Sequence, residues 1–299
     1  MYVITGATGN TGSVVANYLL TKGRKVRAIG RDMNRLQPLV ARGAEAFTAD
    51  LTDAARLTNA FAGAKAVYAM IPPTLGSEDY AAYQRRASEA IATAIERSGV
   101  KFVVSLSSVG ADKPDKTGPV VGLHEFEQRL NRIPGINVVH LRPGYFMENT
   151  LPQASVIPRA GATSGPVRPD LKLPMIATRD IGAVAGEVLA RLDFNGQQTR
   201  ELLGQRDLTY VEATAIIGKA IGKPDLKYVQ AGDEQLRPAF MQMGMSRNLA
   251  DLILDMAASL NSGHMRALEP RSATNTTPTT FETFVAEEFV PAYKHSAAA

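Results

Sequence analysis

The sequence predicts an α/β fold, with a doubly wound parallel sheet and a smaller, mainly helical domain after it. Three observations support this. Short apolar runs alternate with longer segments of helical spacing in the first half of the chain. Several of those helical segments end at a glycine. After Asn149 the alternation stops and prolines become frequent.

Six apolar runs are the predicted strands of the sheet. They are short and mostly continuously apolar, which is typical of strands buried on both faces. Right-handed crossovers through the helices then place a binding crevice at the carboxyl ends of the strands. The runs are Tyr2–Thr5, Lys25–Ile29, Ala44–Thr48, Ala66–Ile71, Phe102–Leu106 and Asn137–Leu141, and the helix-ending glycines are Gly23, Gly43, Gly63 and Gly99.

The second half has a different organisation. Five prolines within residues 151–175 indicate an excursion from the βα alternation. Asp180 is a predicted helix N-cap, and Glu201–Leu203 is a predicted strand that returns to the sheet. Periodicity predicts further helices at about 209–221, 233–244, 247–261 and 279–290. We therefore assign 1–155, with a returning helix and strand from about 176–206, to the first domain, and 156–175 with 207–299 to the second.

Composition argues against several functional classes. A net charge of +4 over 299 residues is too thin to indicate nucleic-acid or acidic-membrane binding. The absence of cysteine removes disulfides, thiolate nucleophiles and Cys-ligated metals, and no two of the four histidines have metal-ligand spacing, so we expect no metal. No apolar stretch approaches 18 residues, and the first residues read as a strand rather than a secretory signal, so we expect no membrane span and a cytoplasmic location.

A glycine-rich loop follows the first predicted strand and opens the first helix. Gly6 permits a tight turn, Gly9 lets a pyrophosphate approach the backbone, and Gly12 lets the helix pack close to the strand. The free amides at the start of the helix then face the phosphates. The loop predicts a dinucleotide site on a Rossmann-type domain. We expect cofactor contacts from Gly6, Thr8, Gly9, Asn10, Thr11 and Gly12.

Arg31 follows the second predicted strand, where this fold selects between NAD and NADP. Its guanidinium, with that of Arg35 one helical turn later, suits a 2′-phosphate. The neighbouring Asp32 could bind the ribose hydroxyls of NAD instead, or cap the helix that starts at Asn34, which we favour. The sequence therefore predicts NADP(H), with NAD(H) as the less favoured alternative.

Longer motifs resemble the NmrA-like family of atypical short-chain dehydrogenases/reductases. The resemblance runs from residue 2 to about 225. Besides the glycine loop and Arg31, it rests on Gly43-Ala44-Glu45 leading into Ala49-Asp50-Leu51, on Thr178-Arg179-Asp180-Ile181, and above all on Leu141-Arg142-Pro143-Gly144-Tyr145-Phe146-Met147-Glu148-Asn149.

The resemblance implies further cofactor contacts. Asp50 and Leu51 would flank the adenine, although Asp50 alone reads equally as a turn residue. Along the nicotinamide half it implies Ile71, Pro72 and Pro73 beside the ribose, Ser105 and Ser107 near the cofactor, and Pro143, Tyr145 and Phe146 as a wall of the nicotinamide site.

One departure bears on the chemistry. Catalytic members of the wider superfamily use a Tyr-x-x-x-Lys on the helix after the fifth strand, and here that helix, Gly122–Leu130, contains neither residue. His124 is the candidate proton donor there, since an imidazole titrates near neutral pH. The alternative is an ordinary, partly buried helix histidine. Glu127, one turn later, would orient His124 or lie solvated on the outer face.

Two functions fit these features. The first is a reductase that transfers hydride from NADPH to a conjugated small molecule such as a quinone or azo compound. Such acceptors delocalise the charge and need less help from a protein acid. His124, Tyr145, Phe146 and Asn149 are the candidate residues on the acceptor side, with His124 and Tyr145 the catalytic candidates. The second is a non-catalytic sensor of the NADPH/NADP ratio that regulates a protein partner, as some members of the family do.

Overall fold

The predicted sheet is the centre of the fold. A computed structural model describes residues 1–298. Seven parallel strands lie in the order β10-β6-β5-β4-β1-β2-β3, so the order reverses beside β1 and forms a crevice at the carboxyl ends of the strands. The strands are β1 Tyr2–Ile4, β2 Val26–Gly30, β3 Glu45–Thr48, β4 Ala66–Ala69, β5 Phe102–Leu106, β6 Asn137–Pro143 and β10 Gln197–Leu202.

Helices cover both faces of the sheet, which confirms the doubly wound prediction. On one face, apolar residues of α1, α2 and α7 pack against the sheet, for example Leu19 and Ile181. On the other face, α3, α4 and α5 contribute residues such as Phe61 and Phe126. The helices are α1 Asn10–Thr21, α2 Met33–Val40, α3 Ala54–Phe61, α4 Tyr80–Ser98, α5 Val120–Asn131 and α7 Thr178–Arg191.

The rest of the chain builds a third core, in which Phe281, Phe284 and Phe289 are buried. Its helices are α6 Gln153–Ala160, α8 Tyr210–Ala220, α9 Asp233–Gln242, α10 Arg247–Asn261, α11 Phe281–Phe284 and α12 Val290–Ala298, with a 3-10 turn at Met147–Thr150 and a π-helical segment at Val285–Phe289. Two small sheets join it to the rest, and their strands are β7 Tyr145–Phe146, β8 Ala162–Gly165, β9 Leu173–Ile176, β11 Arg206–Leu208 and β12 Lys227–Gln230.

Two boundaries differ from the prediction. The helix predicted to start at Asp180 begins at Thr178, and Asp180 lies buried in its first turn, where its carboxylate accepts hydrogen bonds from the backbone and hydroxyl of Thr279. The predicted strand Glu201–Leu203 is the end of a longer strand, β10, that starts at Gln197. The first half of β10 is polar and exposed because β10 is an edge strand of the sheet.

Candidate active site

The glycine loop has the geometry of an anion cradle. Gly6 has a φ of +59°, and its carbonyl accepts a hydrogen bond of 2.9 Å from the Gly9 amide. A Cβ on Gly12 would collide with the Gly6 carbonyl, so glycine lets α1 start directly against the loop rather than against the strand. Gly9 is the N-cap of α1 and supplies no side-chain hydrogen bond, which leaves the first amides of the helix for a ligand. A dinucleotide pyrophosphate fits this cradle.

Arg31 and Arg35 lie exposed beyond the end of β2. Asp32 caps α2, because its carboxylate accepts a hydrogen bond of 2.8 Å from the Asn34 amide, as we favoured. The Asp32 carboxylate therefore already binds the backbone, and the ribose hydroxyls of NAD would have to share it with the Asn34 amide. Arg31 and Arg35 are therefore two exposed cations at this end of the crevice, and guanidinium groups are well suited to bind phosphate.

Asp50 lies in the turn after β3, which agrees with its interpretation as a turn residue. Its carboxylate accepts hydrogen bonds from the Thr52 hydroxyl at 2.7 Å and the Thr52 amide at 2.8 Å. These hydrogen bonds hold the pKa of Asp50 below its usual value, and the charge of Arg31 acts in the same direction. Asp50 and Arg31 are therefore neighbours at the adenosine end, beside the buried Leu51.

A cavity of about 730 Å³ opens at the carboxyl ends of β4, β5 and β6. Its roof comes from Met245, from α10 and from the loop after α10, and its walls are mostly apolar. Predicted cofactor residues line the sheet side, namely Ile71, Pro73, Ser107, Pro143, Tyr145 and Phe146, and Asn149 lies beside them, whereas Pro72, Ser105 and His124 are not among the lining residues. The size and apolar character suit a flat organic ligand.

Ser105 is fully buried and binds another side chain. Its hydroxyl lies 2.6 Å from Nδ1 of His140, and Nε2 of His140 lies 2.9 Å from the side-chain oxygen of Asn131. Burial lowers the pKa of His140 to about 4, so its imidazole is neutral. Nε2 then carries the proton given to Asn131, and Ser105 donates to Nδ1. Ser107, two residues on, is the serine that lines the cavity.

Glu127 neither orients His124 nor lies in solvent, so both interpretations from the sequence were wrong. It is 2% exposed. Its carboxylate accepts hydrogen bonds of 2.9 and 2.5 Å from Nε and Nη2 of Arg142. It also accepts a hydrogen bond of 2.5 Å from the Ser107 hydroxyl. The sequence hides this cluster because α5 turns Glu127 toward β6, where Arg142 compensates its charge. Because the only proton of the Ser107 hydroxyl is used in the hydrogen bond to Glu127, Ser107 can act toward the cavity only as a hydrogen-bond acceptor.

His124 lies on α5, and its Nδ1 is 2.8 Å from the carbonyl oxygen of Ala111. A carbonyl only accepts, so Nδ1 carries a proton in this contact. This is the arrangement of an ordinary helix histidine bound to backbone. A catalytic role for His124 stays a prediction.

A cluster of three tyrosines forms one wall of the cavity and the layer behind it. The Tyr210 hydroxyl donates to the Tyr145 hydroxyl at 2.8 Å. The Tyr210 ring stacks on Tyr228 with centroids 4.8 Å apart, and Tyr228 donates to the carbonyl of Val167 at 2.7 Å. Sequence reasoning identified Tyr145 alone, because Tyr210 and Tyr228 belong to no local motif.

Metal binding and membrane crossing find no support in the described residues. Among residues 1–298, no group of three or more histidine, aspartate or glutamate side chains is placed to hold a metal ion. None of the helices that the structure describes combines the length and apolarity needed to cross a membrane.

Comparison with known proteins places the chain. A sequence model of the NmrA-like family matches residues 2–285. The NAD(P)H azoreductase of Xenophilus azovorans is 31% identical over 260 residues, 86% of each chain. Quinone oxidoreductase 2 of Escherichia coli K12 is 28% identical over 268 residues, 88% of this chain and 89% of that protein. The triphenylmethane reductase of a Citrobacter species has a similar fold, with a TM-score of 0.76 to 0.77, 17 to 18% identity and at least 99% of each chain covered. The chain belongs to the NmrA-like family.

Proposed function

We propose that this protein is an NADPH-dependent reductase that transfers hydride to a conjugated small molecule such as a quinone or an azo compound. The observation that carries the proposal is the apolar cavity of about 730 Å³ on the same sheet edge as the glycine loop. Two relatives, an NAD(P)H azoreductase and a quinone oxidoreductase, support the same chemistry.

The two halves of the cofactor would divide along the sheet. The α1 amides would hold the pyrophosphate, and Arg31 with Arg35 the 2′-phosphate of the adenosine half near Asp50 and Leu51. Because Arg31 lies on the β2 side of the loop, the nicotinamide half extends to the other side, over β4, β5 and β6. There it would reach the cavity beside Ile71, Pro143, Tyr145 and Phe146. NADPH supplies the hydride when bound.

The acceptor would occupy the space between the nicotinamide and the roof. The roof is formed by apolar residues of α10, Leu249, Ile253 and Met256, together with Met245. Apolar walls bury a planar conjugated ring well and exclude water from the site of hydride transfer. They offer little to a flexible, strongly hydrated substrate such as a sugar.

The direct test is turnover. Purified protein is mixed with NADPH and a panel of quinones and azo dyes, and the loss of the reduced nicotinamide absorbance is followed. We expect acceptor-dependent oxidation of NADPH with at least one class. Tight NADPH binding without turnover across the panel would instead favour the sensor of the NADPH/NADP ratio, to which the helix α5 without Tyr and Lys also points. Only this second function, the sensor, would require a regulatory protein partner.

A further inference from the structure

We propose that Tyr145 protonates the acceptor during reduction and that Tyr210 is the positioning residue that fits it for this task. The inference rests on the proposed reductase function and goes beyond it by assigning the proton. Reduction of a quinone to a hydroquinone consumes one hydride and one proton. A family member without the Tyr and Lys of α5 needs another source for that proton.

The hydroxyl groups that line the cavity differ in what they can donate. They belong to Tyr80, Ser107, Ser108 and Tyr145. The Ser107 hydroxyl donates its hydrogen bond to the Glu127 carboxylate at 2.5 Å, and Arg142 binds the same carboxylate, so the Ser107 proton is not free for a ligand. Ser108 donates to the carbonyl of Val109 at 2.9 Å. Among these hydroxyl groups, only those of the two tyrosines have a proton available for a ligand.

Tyr145 differs from Tyr80 in what its oxygen receives. The Tyr210 hydroxyl donates a hydrogen bond to the Tyr145 oxygen. The Tyr145 oxygen is then the acceptor of that bond, and the Tyr145 proton stays available to a ligand in the cavity. The same hydrogen bond strengthens as negative charge develops on the Tyr145 oxygen, and Asn149 acts in the same direction. Among residues 1–298, no group donates a hydrogen bond to the Tyr80 hydroxyl, so no hydrogen bond would stabilise its anion.

Packing fixes Tyr210 in the position from which it donates the hydrogen bond to Tyr145. It is 8% exposed, stacks on Tyr228, and meets the Tyr145 ring edge-on at a centroid distance of 6.0 Å. Burial raises the pKa of both Tyr145 and Tyr210, so both hydroxyls are protonated at neutral pH. Tyr145 is therefore ready to donate before the acceptor is reduced.

The acceptor takes two electrons with the hydride, its developing oxyanion takes the Tyr145 proton, and the Tyr145 O–H bond breaks as the new O–H bond forms. The phenolate left behind keeps the hydrogen bond from Tyr210. It recovers a proton from water through the mouth of the cavity once the product leaves.

Two acceptors with different proton demands test the assignment. 1,4-Naphthoquinone needs a hydride and a proton, whereas malachite green, a triarylmethane cation, becomes its neutral leuco form by hydride alone. In Tyr145→Phe the ratio of quinone turnover to dye turnover should fall about tenfold or more, as for a lost general acid. Tyr210→Phe should lower the ratio about two- to tenfold, as for one lost neutral hydrogen bond. Tyr80→Phe is the matched control and should leave the ratio unchanged.

Two further readouts make the result decisive. The quinone turnover that remains in Tyr145→Phe should rise with the concentration of buffer acid, because the buffer replaces the lost donor. This rescue needs no dye, so it decides the question even for a protein that reduces quinones alone. The NADPH affinity of Tyr145→Phe, measured by fluorescence titration, should stay within about threefold of wild type. A change of that size is smaller than the one expected when a hydrogen bond to a charged group is lost. A wild-type protein that oxidises NADPH with none of the quinones and azo dyes of the panel refutes the reductase function itself, whereas an unchanged ratio without buffer rescue in Tyr145→Phe refutes only the proton assignment.

Discussion

Arg31 is the side chain on which cofactor choice depends in our proposal. It is exposed beyond β2, while the neighbouring Asp32 is occupied as a helix cap. Arg31→Ala should weaken NADPH binding more than NADH binding by roughly 1.5–3 kcal/mol, because a charged hydrogen bond to the 2′-phosphate is lost. Fluorescence titration of both nucleotides measures this. Arg97→Ala, at the exposed end of α4, is the control and should change neither affinity.

Equal losses for the two nucleotides in Arg31→Ala would mean that this side chain does not read the 2′-phosphate. Asp50 would then be the residue to examine, because its carboxylate lies close enough to Arg31 to interact with it.

His140 gives the fold a pH dependence. Its pKa is about 4 in the folded protein because it is buried and neutral, against about 6.5 in an unfolded chain. Between these values the unfolded chain binds a proton that the folded chain does not, so stability falls as the pH falls. The loss from pH 7 to pH 5 should be about 2 kcal/mol.

Urea unfolding of wild type and His140→Gln at both pH values checks this prediction. The variant should lose less stability than wild type over the same range, whereas His264→Gln, near the surface, should behave as wild type. Identical pH dependence in wild type and His140→Gln would contradict it.

The contact between α1 and α7 depends on two glycines. Cβ atoms at Gly182 and Gly186 would lie 2.6 Å from Val14 and 2.8 Å from Tyr18. Gly186→Ala should therefore destabilise the protein by about 1–3 kcal/mol, although alanine is the better helix former by about 1 kcal/mol. Chemical denaturation measures the change.

Gly76→Ala is the matched control for that substitution, because Gly76 has an ordinary φ and nothing within 4 Å of an added Cβ. It should leave the stability within about 0.5 kcal/mol of wild type. A Gly186→Ala protein as stable as wild type would show that α1 and α7 can move apart at little cost.

Sequence reasoning predicted the elements whose signals are local. The buried strands of the sheet and the left-handed glycines after its helices, such as Gly23 and Gly99 with φ of +68° and +71°, are examples. It placed the start of α7 late, because the Thr178 amide is bound by Glu148, thirty residues away, at 2.9 Å. It missed β8 for a similar reason, since the partner of β8 is the distant β12.

The same distinction holds in the site. The glycine loop directly follows β1 and Arg31 directly follows β2, so the local sequence was enough to predict where each of them lies. The contacts of Ser107 with Glu127, of Glu127 with Arg142, and of Tyr145 with Tyr210 join separate elements and follow only from the tertiary fold. A single sequence carries no signal for such pairs.

In our proposal, cofactor binding and acceptor reduction depend on different cores of the molecule. The glycine loop rests on the first core, whereas the wall and roof of the cavity rest on the third, which contains Phe284. Phe284→Ala should cost about 3–5 kcal/mol of stability in the third core. We expect it to retain NADPH binding and lose acceptor reduction.

Thermal unfolding, NADPH titration and turnover measured on one preparation of Phe284→Ala test this division. Val211→Ala, which changes a half-exposed side chain on α8, should alter none of the three. Loss of NADPH binding in step with turnover would show that the cores do not act separately.

The cavity at the sheet edge also has a kinetic consequence. In our proposal the nicotinamide and the acceptor both enter the same space of about 730 Å³. A flat acceptor in excess can then fill the part that the nicotinamide ring needs. Turnover should rise and then decline as the acceptor concentration increases, and more NADPH should restore it. Turnover would thus be fastest at an intermediate acceptor concentration, and that optimum would rise with the concentration of NADPH.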